Sequence, residues 1–215
     1  MSIKLNAQSG GSVALDAPTQ TTNSANNVYK LPVADGSAGQ VLQTDGSGNL
    51  SWVTLPAAGI KMVDQWRRTA NVGLNNGSNY LTSDWERVDS GGQGTFTGTY
   101  GMTESGGIFT FPDEGIYKVE WQCYFEDTGS AGACAADIYI TTNNSSYSQR
   151  ATSLTSVPDI SSYSYAMAHC QTLVDVTDKT QVKVKFRVYS NGSVTVDASS
   201  SENRNCATFI RIGDT

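Results

Sequence analysis

Between residues 116 and 125 apolar and polar side chains alternate, with Tyr117, Val119, Trp121, Cys123 and Phe125 on one face and Lys118, Glu120 and Gln122 on the other. A period of two belongs to a β-strand that turns one face to a core and the other to water. Residues 181–189 repeat the pattern more cleanly, setting Val182, Val184, Phe186 and Val188 against Lys183, Lys185 and Arg187. In residues 206–212, Cys206, Thr208, Ile210 and Ile212 oppose Ala207, Phe209 and Arg211, so apolar groups stand on both faces. That suits a central strand or one at a subunit contact. Gly, Asn and Ser clusters at 75–78, 90–94, 128–132, 143–146 and 191–193 separate the strand-like runs, and no long segment shows helical spacing. This rhythm predicts a sandwich or barrel of antiparallel strands.

Residues 1–57 read differently. They hold no long apolar alternation and little aromatic content beyond Tyr29 and Trp52. Such a segment cannot bury enough surface to fold by itself. Short β-like phrases at 13–15, 28–33, 40–44 and 50–53 nevertheless alternate with turn signals at Asp35-Gly36 and Asp45-Gly46. The expectation is an extended arm with small hairpins, ordered by neighbouring chains, and a hinge near residues 55–59 that leads into a second domain spanning 58–215.

Composition sharpens the picture. Ten Tyr, six Phe and four Trp accompany 21 Gly, a turn-rich β composition. A net charge of −6 argues against a surface for nucleic acid, which requires clustered Lys and Arg. No stretch reaches the ~20 apolar residues of a membrane helix, and the first sixteen residues lack a basic start and an apolar run, so neither membrane insertion nor secretion is expected. Cys123, Cys134, Cys170 and Cys206 show no CxxC spacing; buried thiols are expected in a reducing cytoplasm, with a Cys134–Cys206 bridge as the alternative.

The phrase GIFTFPDEGIYKV at residues 107–119 resembles the core signature of the complement globular-head and tumour-necrosis-factor superfamily. In it a strand reads into a Pro-x-x-Gly turn, with Pro112 presetting one position and Gly115 free to take a positive φ. LVDVTD at 173–178 and ATFIRI at 207–212 follow in the family's order, although the family's Gly is missing at Thr177-Asp178. The resemblance spans about residues 58–215. It implies a ten-strand jelly roll packed as a homotrimer, with Tyr117, Trp121 and Phe209 near the three-fold axis. Separately, KLPVADGSAGQVLQTDGSGNLSW at 30–52 is similar to a segment of phage tail fibre and virion proteins. That likeness implies a virion-docking arm carrying Leu31, Pro32, Leu42 and Trp52.

Catalytic chemistry is not indicated. His169 is the only histidine, and no GxSxG elbow or papain-like cysteine context accompanies it. No cofactor or metal is expected; Asp175, Asp178 and Asp197 could offer oxygen ligands to calcium but read more simply as turn acids. Tyr147, Tyr163 and Tyr165, with Tyr80, could form a receptor-facing aromatic surface. The expected function is therefore non-enzymatic: an all-β structural protein of a phage virion, assembled in the host cytoplasm. It would be a trimeric fibre or fibre-like appendage that docks on capsid, portal, adaptor or tail proteins and exposes its head to a host surface glycan or protein. The alternative is a capsid decoration or cement protein.

Overall fold

The computed structural model describes residues 3–6, 12–15, 28–55, 60–88, 101–130, 132–158 and 164–215. The chain divides into two units, Met1–Ala58 and Gly59–Thr215. Among the described residues every strand pairing is antiparallel apart from a lone parallel bridge between Lys30 and Asn49.

The first unit contains two hairpins, β1 (Ile3–Asn6) with β2 (Ser12–Leu15) and β3 (Gln40–Thr44) with β4 (Leu50–Thr54). Asp45 builds the second turn: its carboxylate accepts from the Ser47 amide at 2.8 Å, the Asn49 amide at 3.1 Å and the Asn49 side chain at 2.5 Å. These bonds, the Asn49 side chain foremost, hold the Asp45 carboxyl below its ordinary pKa. The hairpin extends to Lys30, whose amide donates to the Gly48 carbonyl and whose carbonyl accepts from Leu50, each at 2.8 Å. Gly48 is required there, because its φ is +92° and a Cβ would lie 2.5 Å from the Val28 carbonyl oxygen. The phrase at 28–33, expected to be strand-like, thus contributes one bridge and no strand.

The second unit holds β5 (Met62–Arg68), β6 (Val72–Tyr80), β7 (Trp85–Arg87), β8 (Thr103–Ser105), β9 (Ile108–Thr110), β10 (Gly115–Ser130), β11 (Gly132–Thr141), β12 (Ser148–Val157), β13 (Tyr165–Val176), β14 (Lys183–Val196) and β15 (Cys206–Gly213). One layer runs β13-β10-β15-β5-β7. The other runs β12-β11-β14, with β6 and β9 both pairing on the far side of β14. Beyond Phe125, β10 crosses to pair with β14 and joins the layers. This is a jelly-roll sandwich, with eleven described strands where the resemblance implies ten.

Alternation decides which face enters the core. Tyr117, Val119, Trp121, Cys123 and Phe125 are all fully buried, as are Val184, Phe186 and Val188 from the opposite layer. Trp121 and Phe186 meet across the layers with ring centroids 4.8 Å apart, and Phe109 sits 5.5 Å from Phe186 and 5.2 Å from Phe209. Each such ring contributes roughly 1.5–3 kcal/mol through removal from water. Gly115 has φ +143° and would place a Cβ 2.6 Å from the Gly213 carbonyl oxygen, so the turn after Pro112 needs glycine. Asp178 closes its own turn without one, accepting from the Thr180 amide at 2.8 Å and hydroxyl at 2.6 Å.

One expectation fails here. Residues 75–78 and 191–193 are not turns between strands; they lie inside β6 and β14, where Asn75 pairs with Ser193 and Gly77 with Ser190 across a β-bulge. An irregular ladder uses the same Gly, Asn and Ser residues as a turn. Tyr117, Trp121 and Phe209, expected near a three-fold axis, are all completely covered by the core of the single chain.

Candidate functional site

The outward face of the β13-β10-β15-β5 layer carries three zones in succession. At one end Leu173, Lys118, Ile210 and Val63 form a cross-strand row, with Ile116 and Ile212 beside it. Leu173 is 64% exposed and Ile212 52%, while the opposite faces of their strands fill the core. A polar row follows, Gln171, Glu120, Thr208 and Gln65, in which the Gln65 amide donates to Thr208 at 3.0 Å.

At the far end lies a cavity of about 420 Å³ lined by Gln122, Tyr124, Tyr165, Asp197, Glu202, Asn203 and Arg204. The strands supply its floor and the β14–β15 loop its wall. Bonds from the scaffold pin that loop: the Ala198 amide donates to Asn71 at 2.7 Å, the Ser199 amide to the Arg68 carbonyl at 3.2 Å, and the Asp197 amide to the Tyr124 carbonyl at 3.0 Å. The Ser199 hydroxyl accepts from the Ser201 and Glu202 amides at 3.2 and 3.1 Å, and the Asn205 side chain donates to the Asp197 carbonyl. Arg204 bridges Asp197 at 2.6 Å and Glu202 at 2.8 Å, and these two bonds raise its already high pKa. Gln122 donates to the Asn203 carbonyl at 2.9 Å, whereas the buried Asn203 Oδ1 has no hydrogen-bond partner in the chain.

A different cluster occupies the outer face of the other layer. The Lys185 ammonium sits between the Tyr80 and Tyr147 rings, 3.8 and 4.1 Å from their centroids, and burial lowers its pKa. Arg187 pairs with the buried Asp137 at 2.8 Å and lies over Tyr139. Tyr147 is therefore engaged with a cation on one layer, while Tyr165 projects from β13 on the other. The structure does not unite the expected tyrosine surface, and Tyr163 lies outside the described residues.

His169 is exposed on β13 opposite Gln122. Asp197 is taken by Arg204, Asp178 by its turn, and Asp175 is exposed. Among the described residues no group of three or more His, Cys, Asp or Glu could hold a metal ion. All four cysteines are buried thiols, so the Cys134–Cys206 bridge is not formed. In the first unit Leu31, Leu42 and Trp52 are exposed and Pro32 is half-buried. Sequence reasoning named Asp197 and Tyr165 but missed Gln122 and Tyr124, which sit on the outward face of a strand, and Glu202, Asn203 and Arg204, because polar residues in a Ser/Asn-rich loop read as a solvated turn.

No protein-family model matches the chain, and no curated relative does. Among solved structures, murine APRIL at pH 5.0 aligns over 70% of this chain and 98% of its own at 13% identity, with a TM-score of 0.49. Eiger TNF from S. frugiperda aligns over 72% of this chain and 94% of its own at 12% identity, with a TM-score of 0.50, and at that identity the likeness establishes a shared jelly-roll fold.

Proposed function

We propose that this chain is a structural protein of a phage particle: a homotrimeric fibre or fibre-like appendage that docks through its N-terminal unit and exposes the jelly-roll head for host attachment. One observation carries the reading, an outward apolar row in which Leu173 and Ile212 are exposed and Ile210 is half-buried, on strands whose inward faces already complete a core. The head does not need that row to fold. An apolar strip left over after folding marks a contact with another molecule, and the tumour-necrosis-factor-like fold supports copies of the same chain as the cover. The N-terminal phrase at 30–52 supports a particle as the setting, with exposed Leu31, Leu42 and Trp52 offering docking groups.

Two measurements test this. Light scattering of the full chain at micromolar concentration should give the mass of a trimer, and a monomer there would end the trimer reading. Electron microscopy of particles labelled with antibody against this chain should place label on the tail or another appendage. Label spread over the shell would replace the fibre with a capsid decoration protein.

A further inference from the structure

Resting on the attachment reading, we infer that the cavity between Tyr124, Tyr165 and the β14–β15 loop binds a neutral saccharide residue. Its size falls within the roughly 300–1,000 Å³ typical of small-ligand sites, and the loop wall is held by the scaffold bonds described above. A preformed wall lowers the ordering cost of binding.

The lining chemistry selects the ligand class. Asp197 and Glu202 outnumber Arg204, and Glu126 lies beyond, 3.4 Å from the Tyr165 hydroxyl. That excess of negative charge repels phosphate, sulfate and acidic sugars. A small cation gains little either, since the Arg204 guanidinium already bridges both carboxylates. What the site does present to a neutral ligand is acceptors, the Asp197 and Glu202 carboxylates held by Arg204. Carboxylates held in place accept further hydroxyls, and tyrosine rings present an apolar face with a polar rim. A pyranose meets all of these demands at once, with C–H groups on one face and hydroxyls around its edge.

The cavity stands at the opposite end of the layer from the Leu173, Ile210 and Ile212 row. Copies covering that row and a ligand in the cavity therefore use separate parts of the face.

The test is saturation-transfer NMR and calorimetry on the full chain with the methyl glycosides of glucose, galactose, mannose and N-acetylglucosamine, and with methylammonium and inorganic phosphate alongside. At least one glycoside should bind. Tyr165→Ala and Glu202→Ala should each weaken it by about tenfold, Tyr165→Phe should retain it, and Tyr147→Ala on the other layer should change nothing. Unfolding midpoints of the variants identify any loss that comes from misfolding, in which case Glu202→Ala, on an exposed loop, still locates the site. Failure of all four glycosides, stronger binding of methylammonium or phosphate, or loss only in Tyr147→Ala would overturn the inference. A trimer that binds no glycoside removes the saccharide site and leaves the structural role standing; a monomer that binds one does the reverse.

Discussion

Asp64, which has no exposed surface, is gripped at both carboxylate oxygens by the Arg87 guanidinium, Nε to Oδ1 and Nη2 to Oδ2, each at 3.1 Å. The Met102 amide donates to the same carboxylate at 2.7 Å, so the pair ties β5 and β7 to the chain that leads into β8. Coulomb attraction and hydrogen bonds here offset the desolvation of a buried charge. Replacing Arg87 by Met leaves that charge covered and unpaired. The Arg87 side chain is 35% exposed, so the expected loss is about 2–3 kcal/mol, below the ~3–5 kcal/mol of a fully buried pair. Urea unfolding of Arg87→Met against Asp64→Leu/Arg87→Met checks this. The double variant should recover part of the loss, and equal stabilities for the wild type and Arg87→Met would show that the pair contributes nothing.

Burial governs the cysteines in a way that pH can read. It pushes the Cys170 thiol up to about 12 and Cys206 to about 11 from an ordinary 9.0, and raises Cys123 well above that value. Below pH 9 these thiols are protonated in folded and unfolded chains alike, and their contribution to stability is complete. As pH climbs from 9 towards 11–12 the unfolded chain gives up its protons first, and stability falls. Tyr117, raised by burial as well, adds to the same trend. Denaturant midpoints across that range should decline, and more gently in Cys170→Ala. At pH 8 the native chain should resist a thiol reagent that labels all four cysteines once urea is added.

How far the sequence discloses this molecule depends on what each strand face meets. In β10 and β14 one face is core and the other solvent, so Tyr117 to Phe125 and Val182 to Val188 reveal their direction by alternation alone. Direction is not destination, however. The same pattern that turns Tyr117 and Trp121 inward is silent on whether inward means this chain's core or a three-fold axis, and only the opposing layer, with Phe186 against Trp121, decides it. In β15 both faces are apolar; the outward one carries half-buried Ile210 and exposed Ile212, while Phe209 faces the core. Asp64 and Arg87 are illegible because charged residues 23 positions apart would each be assigned to water, and their partnership exists only once β5 and β7 are side by side. The cavity is hidden for a related reason: its wall is a loop fixed by Asn71 and Arg68, far from it in sequence.

Within the first unit, the Trp52 indole donates to the Ala34 carbonyl at 3.0 Å while its ring covers Gly36 so closely that a Cβ would sit 2.6 Å from a ring carbon. The Asp-Gly and terminal Trp of the 30–52 phrase are therefore one structural device. Gly36→Ala should expel the ring and break the indole bond. In an NMR spectrum of the full chain the Trp52 indole resonance should shift to a solvent-exchanging position, while the resonances of the β5–β15 sandwich stay in place. A Trp52 signal that keeps its protection in Gly36→Ala would show that the ring is held by something else.

The two faces of β15 give the sharpest separation between folding and assembly. Phe209 packs against Phe109 and Phe111 with no exposed surface, so Phe209→Ala creates a cavity in the sandwich and should cost about 3–5 kcal/mol in unfolding free energy. What remains folded should keep its subunit count, because that ring is fully covered within its own chain. Ile212→Asp, joined with Leu173→Asp on β13, alters only the outward row; both side chains are more than half exposed in the single chain, so its fold should lose little. A buried subunit contact, in contrast, does not tolerate unpaired carboxylates. Light scattering should then report one chain for the variant, against the three proposed for the parent. If Phe209→Ala dissociates the assembly without loss of stability, or the paired aspartates leave the mass unchanged, copies do not meet at the outward row.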